Sequence, residues 1–456
     1  MAHDANSRPR RLITQRGASD SSRLPRYYAA RPWHYAARPW YYAAEAIYLA
    51  NELPKIQRIT RVAQAFTPGA PVSRLDLLAG RWDQLQDVAS AVTQRGQHVG
   101  LYGERGVGKT SLANVLAELF AAPDLPSYQA VLVNCTTDDT FDSLWRNIFR
   151  DLDASVEDGI RLSPEDIRHE VSRLDPPALI VIDELDRLED DEALTALADT
   201  IKTLSDHAVP STVVLVGVAR SIGDLIGEHQ SIVRALVQIE MPRMTRDELA
   251  QIIANGCAWL KLVPHPDAVD KITSLSEGLP HYTHLLGLHA GQRVVKDDRD
   301  GITVVDVDEA IKLATAKHTM KSDYLLATRS TQADTLYREV LLACALANKN
   351  QLGYFRAGAI RLPLEVVAGR KIDIPQFARH LKQFLQPERG SVLHREGEPR
   401  RYFYRFSDPM MQPYIILDGL SNGLLTDEQL RRIREQQKLA APAPDPGETT
   451  QSARLF

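Results

Sequence analysis

The stretch LYGERGVGKT, residues 101–110, decides the fold because it has the G-x-x-x-x-G-K-T spacing of a phosphate-binding loop. Residues 97–102 in front of it form an apolar run that predicts a short buried strand. Residues 110–120 behind it carry apolar side chains at helical spacing. A strand, a glycine-rich loop and a helix in this order are the context that the motif requires, so the sequence predicts an α/β nucleotide-binding fold.

The chemistry expected of this loop follows from its residue types. Glycines let the backbone curl so that its N–H groups face a polyphosphate, and the helix N-terminus adds a favourable dipole. We expect Lys109 to reach the β- and γ-phosphates and the Thr110 hydroxyl to ligate Mg²⁺. The residues predicted to bind the nucleotide are Gly103, Glu104, Arg105, Gly106, Val107, Gly108, Lys109, Thr110 and Ser111.

A second signature is the apolar run at residues 178–182, which ends in the carboxylates Asp183 and Glu184. Asp183, at the end of a predicted strand, is expected to complete the Mg²⁺ shell. Glu184 is expected to orient the water that attacks the γ-phosphate, or to accept its proton. An acidic helix cap is the alternative explanation of such a pair.

Three more apolar, β-branched runs, at residues 130–135, 211–220 and 236–241, predict further strands of a parallel sheet. Ligands collect at the carboxyl ends of such strands, so Arg220 or Ser221 is expected to face the γ-phosphate. A predicted helix at 222–234 ends in Arg234, which is either a surface arginine or an arginine finger that reaches a neighbouring subunit's nucleotide.

Bulk properties narrow the classes of protein. The 456-residue chain has a formal net charge of −5, which argues against a basic nucleic-acid binder as a whole. Its three cysteines have no metal-binding or disulfide spacing, so we expect a reducing cytoplasm. Its apolar runs are far shorter than the roughly 20 residues of a membrane span, and no secretory signal is recognisable.

After Thr245 the pattern becomes helical and predicts a small lid, with a break at residues 276–281 before a further helix. Three helices and a basic two-stranded ribbon, up to about residue 421, predict a winged-helix domain. Such a domain binds duplex DNA or contacts protein. The arginines considered for DNA phosphates are Arg395, Arg400, Arg401 and Arg405.

The two ends of the chain differ from the rest in composition. The N-terminal 60 residues are rich in arginine and contain a tandem repeat, YAARPWH at 28–34 and YAARPWY at 35–41. We interpret this extension as disordered or as a start assigned too early; an arm that stacks on single-stranded nucleic acid is the alternative. The segment from Ala440 is rich in Pro and Ala, and we expect a disordered tail.

Together these features resemble the AAA+ ATPases of the origin-recognition and initiator type, and bacterial transposition ATPases and STAND switch ATPases are similar. The resemblance covers residues 66–420. It identifies the Walker A and Walker B motifs, and it implies that Pro280 of a G-x-P segment packs on adenine. Arg220 at the sensor-1 position looks more like the STAND arrangement. His281 stands where initiators often have a sensor-2 arginine.

The resemblance implies ATP and Mg²⁺ as cofactors and a homo-oligomer or partner protein. The predicted function is an ATP-hydrolysing switch or remodeller acting on duplex DNA or a DNA-bound complex. The alternative is a slow, STAND-like signalling switch whose nucleotide state a partner protein recognises. The predicted parts are an N-terminal extension (1–60), an AAA+ core (61–243), a helical lid (244–325), a winged-helix domain (326–421) and a C-terminal tail (422–456).

Overall fold

The structure is a computed structural model. It describes residues 54–121, 128–154, 159–219, 221–226, 232, 234–330, 335–350, 352–399 and 401–440. The predictions for the repeat at 28–41, for Arg220, for Arg400 and for residues 441–456 therefore lie outside the described residues. None of the helices within these ranges is long and apolar enough to cross a membrane.

The centre of the molecule is a parallel five-stranded sheet, as predicted. The strands are β1 (His98–Gly103), β2 (Gln129–Asn134), β3 (Ala178–Asp183), β4 (Thr212–Val218) and β5 (Leu236–Glu240). Their order is β2-β3-β4-β1-β5, so β4 lies between the strand before the phosphate loop and the strand that ends in Asp183. All the strand ends that carry the predicted chemistry therefore meet at one edge of the sheet.

Both faces of the sheet are covered by helices, which explains why its strands are continuous apolar runs. The helices are α2 (Trp82–Val92), α3 (Lys109–Phe120), α4 (Phe141–Asp151), α5 (Pro164–Ser172), α6 (Asp191–Asp206) and α7 (Ile222–Ile226). Along β3, Leu179 and Val181 join the core that contains residues of α2 and α3. The alternate residues Ile180 and Ile182 join the core built with α4, α5 and α6.

The predicted helix at 222–234 was wrong in its extent. Helix α7 ends at Ile226, residues 227–231 and 233 are not described, and Arg234 is an exposed turn residue in front of β5.

The lid comprises α8 (Arg246–Leu260), α9 (Pro266–Leu275), α10 (Pro280–Lys296), α11 (Val304–Ala316) and the strand pair β6 (Val263–Pro264) and β7 (Gly301–Ile302). The predicted capping box is present, with Thr245 and Glu248 bonding each other's backbone. Helix α10 begins at Pro280, not at Tyr282, because proline suits the first helical position.

An additional helix, α1 (residues 54–65), crosses the predicted boundary at residue 60. Val62, Ala65 and Phe66 are buried in the main core. The Phe66 ring packs directly against Gly256 of α8 and Gly287 of α10. A Cβ at either glycine would lie within 3 Å of a ring atom of Phe66, so both positions need glycine. Helix α1 therefore packs on the lid.

The C-terminal unit has the three helices and the wing of a winged-helix fold. Its elements are α12 (Lys321–Thr328), α13 (Tyr337–Leu346), β8 (Phe355–Arg356), α14 (Ala357–Ala368), α15 (Ile374–Phe384), β9 (Leu393–Glu396), β10 (Phe403–Phe406) and α16 (Met411–Ser421). The sheet order β8-β10-β9 adds a third strand to the predicted two-stranded ribbon. Short 3₁₀ turns lie at Leu75–Leu77, Leu185–Arg187 and Pro387–Arg389.

The predicted C-terminal tail at 422–456 was wrong for its first part, because residues 427–440 form helix α17 (Asp427–Ala440). Leu430 and Ile433 are spaced to share one helix face and are buried. Arg434 donates to the carboxylate of Glu277 at 2.7 Å, which attaches α17 to the lid. The bias toward proline and alanine begins only where this helix ends.

Candidate nucleotide-binding site

The phosphate loop connects the end of β1 to the first turn of α3, and its glycines adopt conformations that other residues disfavour. Gly103, Gly106 and Gly108 have φ angles of 155°, 83° and 98°. A Cβ at Gly103 would lie 2.4 Å from the carbonyl oxygen of Met241. The loop therefore needs glycine for both its curl and its close approach to the neighbouring chain.

Lys109 is buried at the start of α3, and the loop wraps around its ammonium. Its Nζ donates to the carbonyl oxygens of Gly103 at 3.0 Å and Glu104 at 2.8 Å. Burial lowers the pKa of Lys109 to about 8, and the carboxylates of Asp186, Asp183 and Glu104 oppose this shift in part. The structure thus places the lysine in the centre of the loop, close to the carboxylates that follow β3.

Asp183 is buried at the end of β3, as expected of a metal-shell carboxylate. One oxygen, Oδ1, accepts from the Glu184 amide at 2.7 Å, and the Thr110 hydroxyl hydrogen-bonds the same carboxylate. The other oxygen, Oδ2, is buried and has no hydrogen-bond partner among the described residues. Burial raises the pKa of Asp183, and the bond from Thr110 opposes the shift.

The Oδ2 atom of Asp183 and the hydroxyl oxygen of Thr110 together fit Mg²⁺. The cation favours one or two protein oxygens together with substrate phosphates and water over an all-protein cage. The described residues contain no group of three or more His, Cys, Asp or Glu residues that could hold a metal ion. The unpartnered Asp183 oxygen and the Thr110 hydroxyl are the ligands that the structure offers.

Glu184 follows Asp183 in a left-handed backbone conformation, with φ at 54°. Its side chain is half-exposed and its Oε2 lies 2.8 Å from Nη1 of Arg187, within the turn after β3. Both residues line the same cleft as the phosphate loop. The predicted catalytic carboxylate is therefore near the loop, but it is engaged with a cation that sequence analysis did not assign.

The less polar residues that line the cleft belong to the segments 67–72 and 77–79 and include Pro280. The Ser111 hydroxyl accepts from the Val72 amide at 3.0 Å, which ties the phosphate loop to the first of these segments. The buried Arg81 side chain joins the loop to the segment after β5, because its Nη2 donates to the carbonyl oxygens of Val107 at 3.0 Å and Pro242 at 2.6 Å. The structure thus lines one cleft with Pro280 and the phosphate loop, as an adenine contact requires.

Two lid histidines connect to the segment near Phe66. His281 Nδ1 lies 2.8 Å from the Pro68 carbonyl oxygen, and the Thr67 amide donates to His284 Nδ1 at 3.2 Å. Burial lowers the pKa of His284 to about 4 and also lowers the pKa of His281. Both rings are neutral at physiological pH, so His281 does not replace the missing lid arginine as a cation.

The third side of the cleft was not predicted, because it comes from the C-terminal unit. We call the residues from Arg405 to Gln412 the wing connection, since they join β10 to α16. Asp408 Oδ2 lies 3.1 Å from Arg105 of the phosphate loop. A Cβ at Gly106 would lie 2.6 Å from the Met410 sulfur. The cleft that these walls enclose has a volume of about 1340 Å³.

A largely buried polar network also links the phosphate loop to the wing connection, and sequence analysis missed it. Arg243 pairs with Glu104 at 2.7 Å and donates to the side-chain oxygen of Gln412 at 2.9 Å. Gln412 donates to Glu277 at 2.9 Å, and Glu277 pairs with Arg434 of α17. No sequence pattern identifies such a network, because its members are up to 330 positions apart (Glu104 to Arg434).

The structure does not bring all the predicted site residues together. Arg234 is exposed and is not among the residues that line the cleft. Arg220 lies outside the described residues. The neighbouring end of β4 does reach the cleft through Gly217, Val218 and Ala219, and the Val218 amide donates to Asp186 at 2.7 Å.

Comparison with known proteins agrees with this fold. Residues 92–225 match the family model described as an AAA domain. The sheet, the phosphate loop and the Asp183-Glu184 strand end have the arrangement of a P-loop fold, and the matched segment is similar to an AAA domain. No curated protein sequence matches the chain.

Among the solved structures that match the chain is the ORC2 protein of Aeropyrum pernix in ADPNP–ADP complexes. It is 16% identical, with 83% of this chain and 98% of that chain covered and a TM-score of 0.48. Another is the ORC1 protein of the same organism in complex with DNA, 16% identical, with coverages of 79% and 97% and a TM-score of 0.45. A third is Cdc6p from Pyrobaculum aerophilum, 15% identical, with coverages of 82% and 98% and a TM-score of 0.44.

Proposed function

We propose that this protein binds and hydrolyses ATP and acts as a nucleotide-driven switch or remodeller on duplex DNA or a DNA-bound complex. The observation that carries the proposal is the convergence of three elements in one cleft: the phosphate loop, the Asp183 carboxylate and the wing connection. A nucleotide held by the phosphate loop and Asp183 would therefore lie next to the winged-helix unit, which is suited to contact DNA.

The residues have the following roles in this proposal. Lys109 and the loop amides bind the polyphosphate, and Thr110 and Asp183 hold Mg²⁺, which neutralises phosphate charge when bound. Glu184 orients or deprotonates the attacking water. For this it must leave Arg187, and an ion pair this exposed is screened by water, so its release costs little.

Contact with DNA would use the outer face of α15 and the wing. Helix α15 has no acidic residue, and Arg379 and Lys382 are exposed on it. Arg395 and Arg401 of the wing are also exposed. A helix in the major groove and basic side chains on the backbone are the usual arrangement of such a unit on DNA. This face therefore supports duplex DNA as the partner.

Assembly and location remain part of the proposal. The exposed position of Arg234 suits an arginine finger that completes a neighbour's site in a homo-oligomer. Three free, buried cysteines suit a reducing cytoplasm. We propose a core of about residues 66–243, a lid that includes α1, and a winged-helix unit whose following helix α17 returns to the lid.

The direct test is steady-state ATP turnover with and without duplex DNA. The wild type should hydrolyse ATP, Glu184→Gln should retain binding and lose about 100-fold or more in turnover, and duplex should change the wild-type rate. Turnover that is absent, or that is indifferent to Glu184→Gln, contradicts the ATPase proposal. If duplex DNA neither binds to the protein nor changes its rate of ATP turnover, the proposed action on DNA is contradicted while the ATPase proposal stands.

A slow switch that a partner protein recognises is the second candidate. The Arg187–Glu184 pair and the Arg105–Asp408 pair favour it, because the first holds the catalytic carboxylate and the second holds the wing connection on the loop. Such a switch keeps its nucleotide through purification and shows less than one turnover during a normal assay. Fast, DNA-stimulated multiple turnover excludes it.

A further inference from the structure

Arg405 lies in the wing but on a different surface from the other wing arginines. It was predicted to contact DNA phosphates, yet it is partly buried and lines the nucleotide cleft. Arg395 and Arg401, by contrast, are exposed and are not among the residues that line the cleft. The wing therefore divides its cations between its outer surface and the nucleotide site.

Two contacts fix the side of the cleft on which Arg405 lies. Its guanidinium is stacked over the Tyr354 ring, 5.3 Å from the ring centroid. The preceding residue, Gly353, is so close to the phosphate loop that a Cβ on it would lie 3.1 Å from a Glu104 carboxylate oxygen. Three residues after Arg405, Asp408 pairs with Arg105 of the loop. Arg405 is thus flanked on both sides by contacts to the phosphate loop.

The other arginines of the cleft already have acceptors. Arg81 donates to two carbonyls, and the carboxylate-paired arginines are Arg105, Arg187 and Arg243. The Nε atoms of Arg81 and Arg405 are both buried without a hydrogen-bond partner in the described ranges. Arg81, however, has two carbonyl acceptors for its Nη2, whereas the contact described for the Arg405 guanidinium is its stacking on Tyr354. Burial of a guanidinium nitrogen without an acceptor costs desolvation free energy. An anionic ligand would recover this free energy by accepting a hydrogen bond from Arg405.

The lid does not supply this cation. The position after Pro280 is His281, whose ring lies against the Pro68 carbonyl and is neutral. Resting on the proposed function, we propose that Arg405 binds the polyphosphate of the bound nucleotide, so that the winged-helix unit completes the nucleotide site in cis. Nucleotide then holds the wing against the phosphate loop, and its loss removes one attachment of the wing to the core.

The test compares two wing arginines in the intact chain. Mg·ATP affinity is measured by calorimetric titration for the wild type, Arg405→Gln and the matched control Arg401→Gln. A charge-assisted hydrogen bond corresponds to about a 10- to 100-fold change in affinity. We expect that loss for Arg405→Gln and no change for Arg401→Gln. Arg405→Lys, which keeps a charge above Tyr354, should recover part of the affinity.

The same variants are titrated with labelled duplex at several salt concentrations. Arg401→Gln should reduce the salt slope by about 1 if it contacts a DNA phosphate, whereas Arg405→Gln should not change the slope. A normal Mg·ATP affinity for Arg405→Gln contradicts the inference, and so does a reduced salt slope in that variant. If the wild type binds no Mg·ATP, the proposed function itself fails, and the two failures are thereby distinguished.

A second measurement avoids substitutions that impair folding. Wild-type protein is treated with phenylglyoxal, which modifies accessible arginines, and the modified peptides are quantified. Mg·ATP should protect Arg405 at least severalfold and leave Arg401 unprotected. Equal modification of Arg405 with and without Mg·ATP contradicts the inference.

Discussion

Two of the walls that line the nucleotide cleft are built in different ways. The core wall consists of the phosphate loop and the end of β3, and its chemical groups lie on consecutive residues next to buried strands. The wing wall consists of Gly353, Tyr354 and the wing connection, and long-range contacts such as Arg105–Asp408 and Arg243–Gln412 hold it in place. The core wall is therefore fixed by the sheet, whereas side-chain pairs attach the wing wall.

This difference suggests separate roles: the core wall binds the nucleotide and carries the catalytic groups, and the wing wall controls how tightly the winged-helix unit is held. Under the proposed function, removal of a group of the core wall should abolish binding or catalysis, because the strand ends offer no substitute. Loosening the wing wall leaves the phosphate loop and Asp183 where they are. It changes how tightly the winged-helix unit is held when nucleotide binds or leaves. Four perturbations, taken from the largest expected effect to the smallest, test this division.

Replacing Lys109 by alanine should have the largest effect on nucleotide binding. The ammonium donates two hydrogen bonds inside the loop, and the carboxylates of Asp183 and Asp186 stabilise its charge. Loss of its charge-assisted bonds to phosphate should lower Mg·ATP affinity by about 100-fold or more. Calorimetric titration measures this loss. Unchanged affinity in a folded Lys109→Ala variant contradicts the role of the core wall.

Gly103→Ala should disturb the core wall through its backbone. The new Cβ would collide with the Met241 carbonyl oxygen, 2.4 Å away, so β1 and the segment after β5 must move apart. We expect a loss of about 2–4 kcal/mol in the free energy of unfolding, measured by urea denaturation. Gly358→Ala is the matched control, because nothing lies within 4 Å of a Cβ there. Equal stabilities of the two variants speak against a close approach at Gly103.

Gln412→Leu should loosen the wing wall and spare the core wall. Gln412 is buried, accepts from Arg243 and donates to Glu277, so leucine leaves those groups with fewer partners. The expected cost is about 1–3 kcal/mol of unfolding free energy. Amide hydrogen exchange should speed up at residues 405–412 and stay unchanged at 103–111. Gln437→Leu in α17, which removes a bond to the Leu346 carbonyl, is the control.

The smallest effect is the pH dependence that Lys109 imposes. Burial lowers its pKa to about 8, below the ordinary 10.5, so the unfolded chain binds more protons between these values. Stability from this group therefore rises with pH from about 8 to 10.5. Polyphosphate favours the charged ammonium, so Mg·ATP affinity should be about tenfold lower at pH 9 than at pH 7.

Calorimetry in buffers of different ionisation enthalpy tests this linkage, since binding should take up protons near pH 8.5. Lys349 is the control, because burial also lowers its pKa to about 8, although it does not line the cleft. Lys349→Met should leave the proton uptake unchanged. Uptake that disappears in Lys349→Met assigns the effect to the wrong lysine and refutes the account given for Lys109.

The core wall was predictable because its signals are local. The spacing from Gly103 to Thr110 and the apolar run before Asp183 encode a strand, a turn and a polar end within a few residues of one another. The order of the strands along the chain further implied a parallel sheet. The predicted fold class, with a parallel-sheet core, a helical lid and a winged-helix unit, was confirmed, apart from the added third strand β8.

The wing wall was not predictable, because its contacts join residues that no periodicity relates. Asp408 and Arg105 are 303 positions apart, and Arg243 and Gln412 are 169 positions apart. Arg405 looked like any other arginine of a basic ribbon. The face on which it lies depends on how β10 packs against Tyr354. Helix α17 was not predicted, because most of its residues are polar and its buried face is marked by little more than Leu430 and Ile433.

The most direct test of the central claim is hydrogen exchange of residues 405–412 in Glu184→Gln, with and without saturating Mg·ATP. If the core wall and the wing wall both contact the nucleotide, Mg·ATP should protect both the phosphate loop at 103–111 and the wing connection. The outer face of α15 should exchange as before. Protection of the loop with no change at 405–412 would contradict the claim that the winged-helix unit forms part of the nucleotide site.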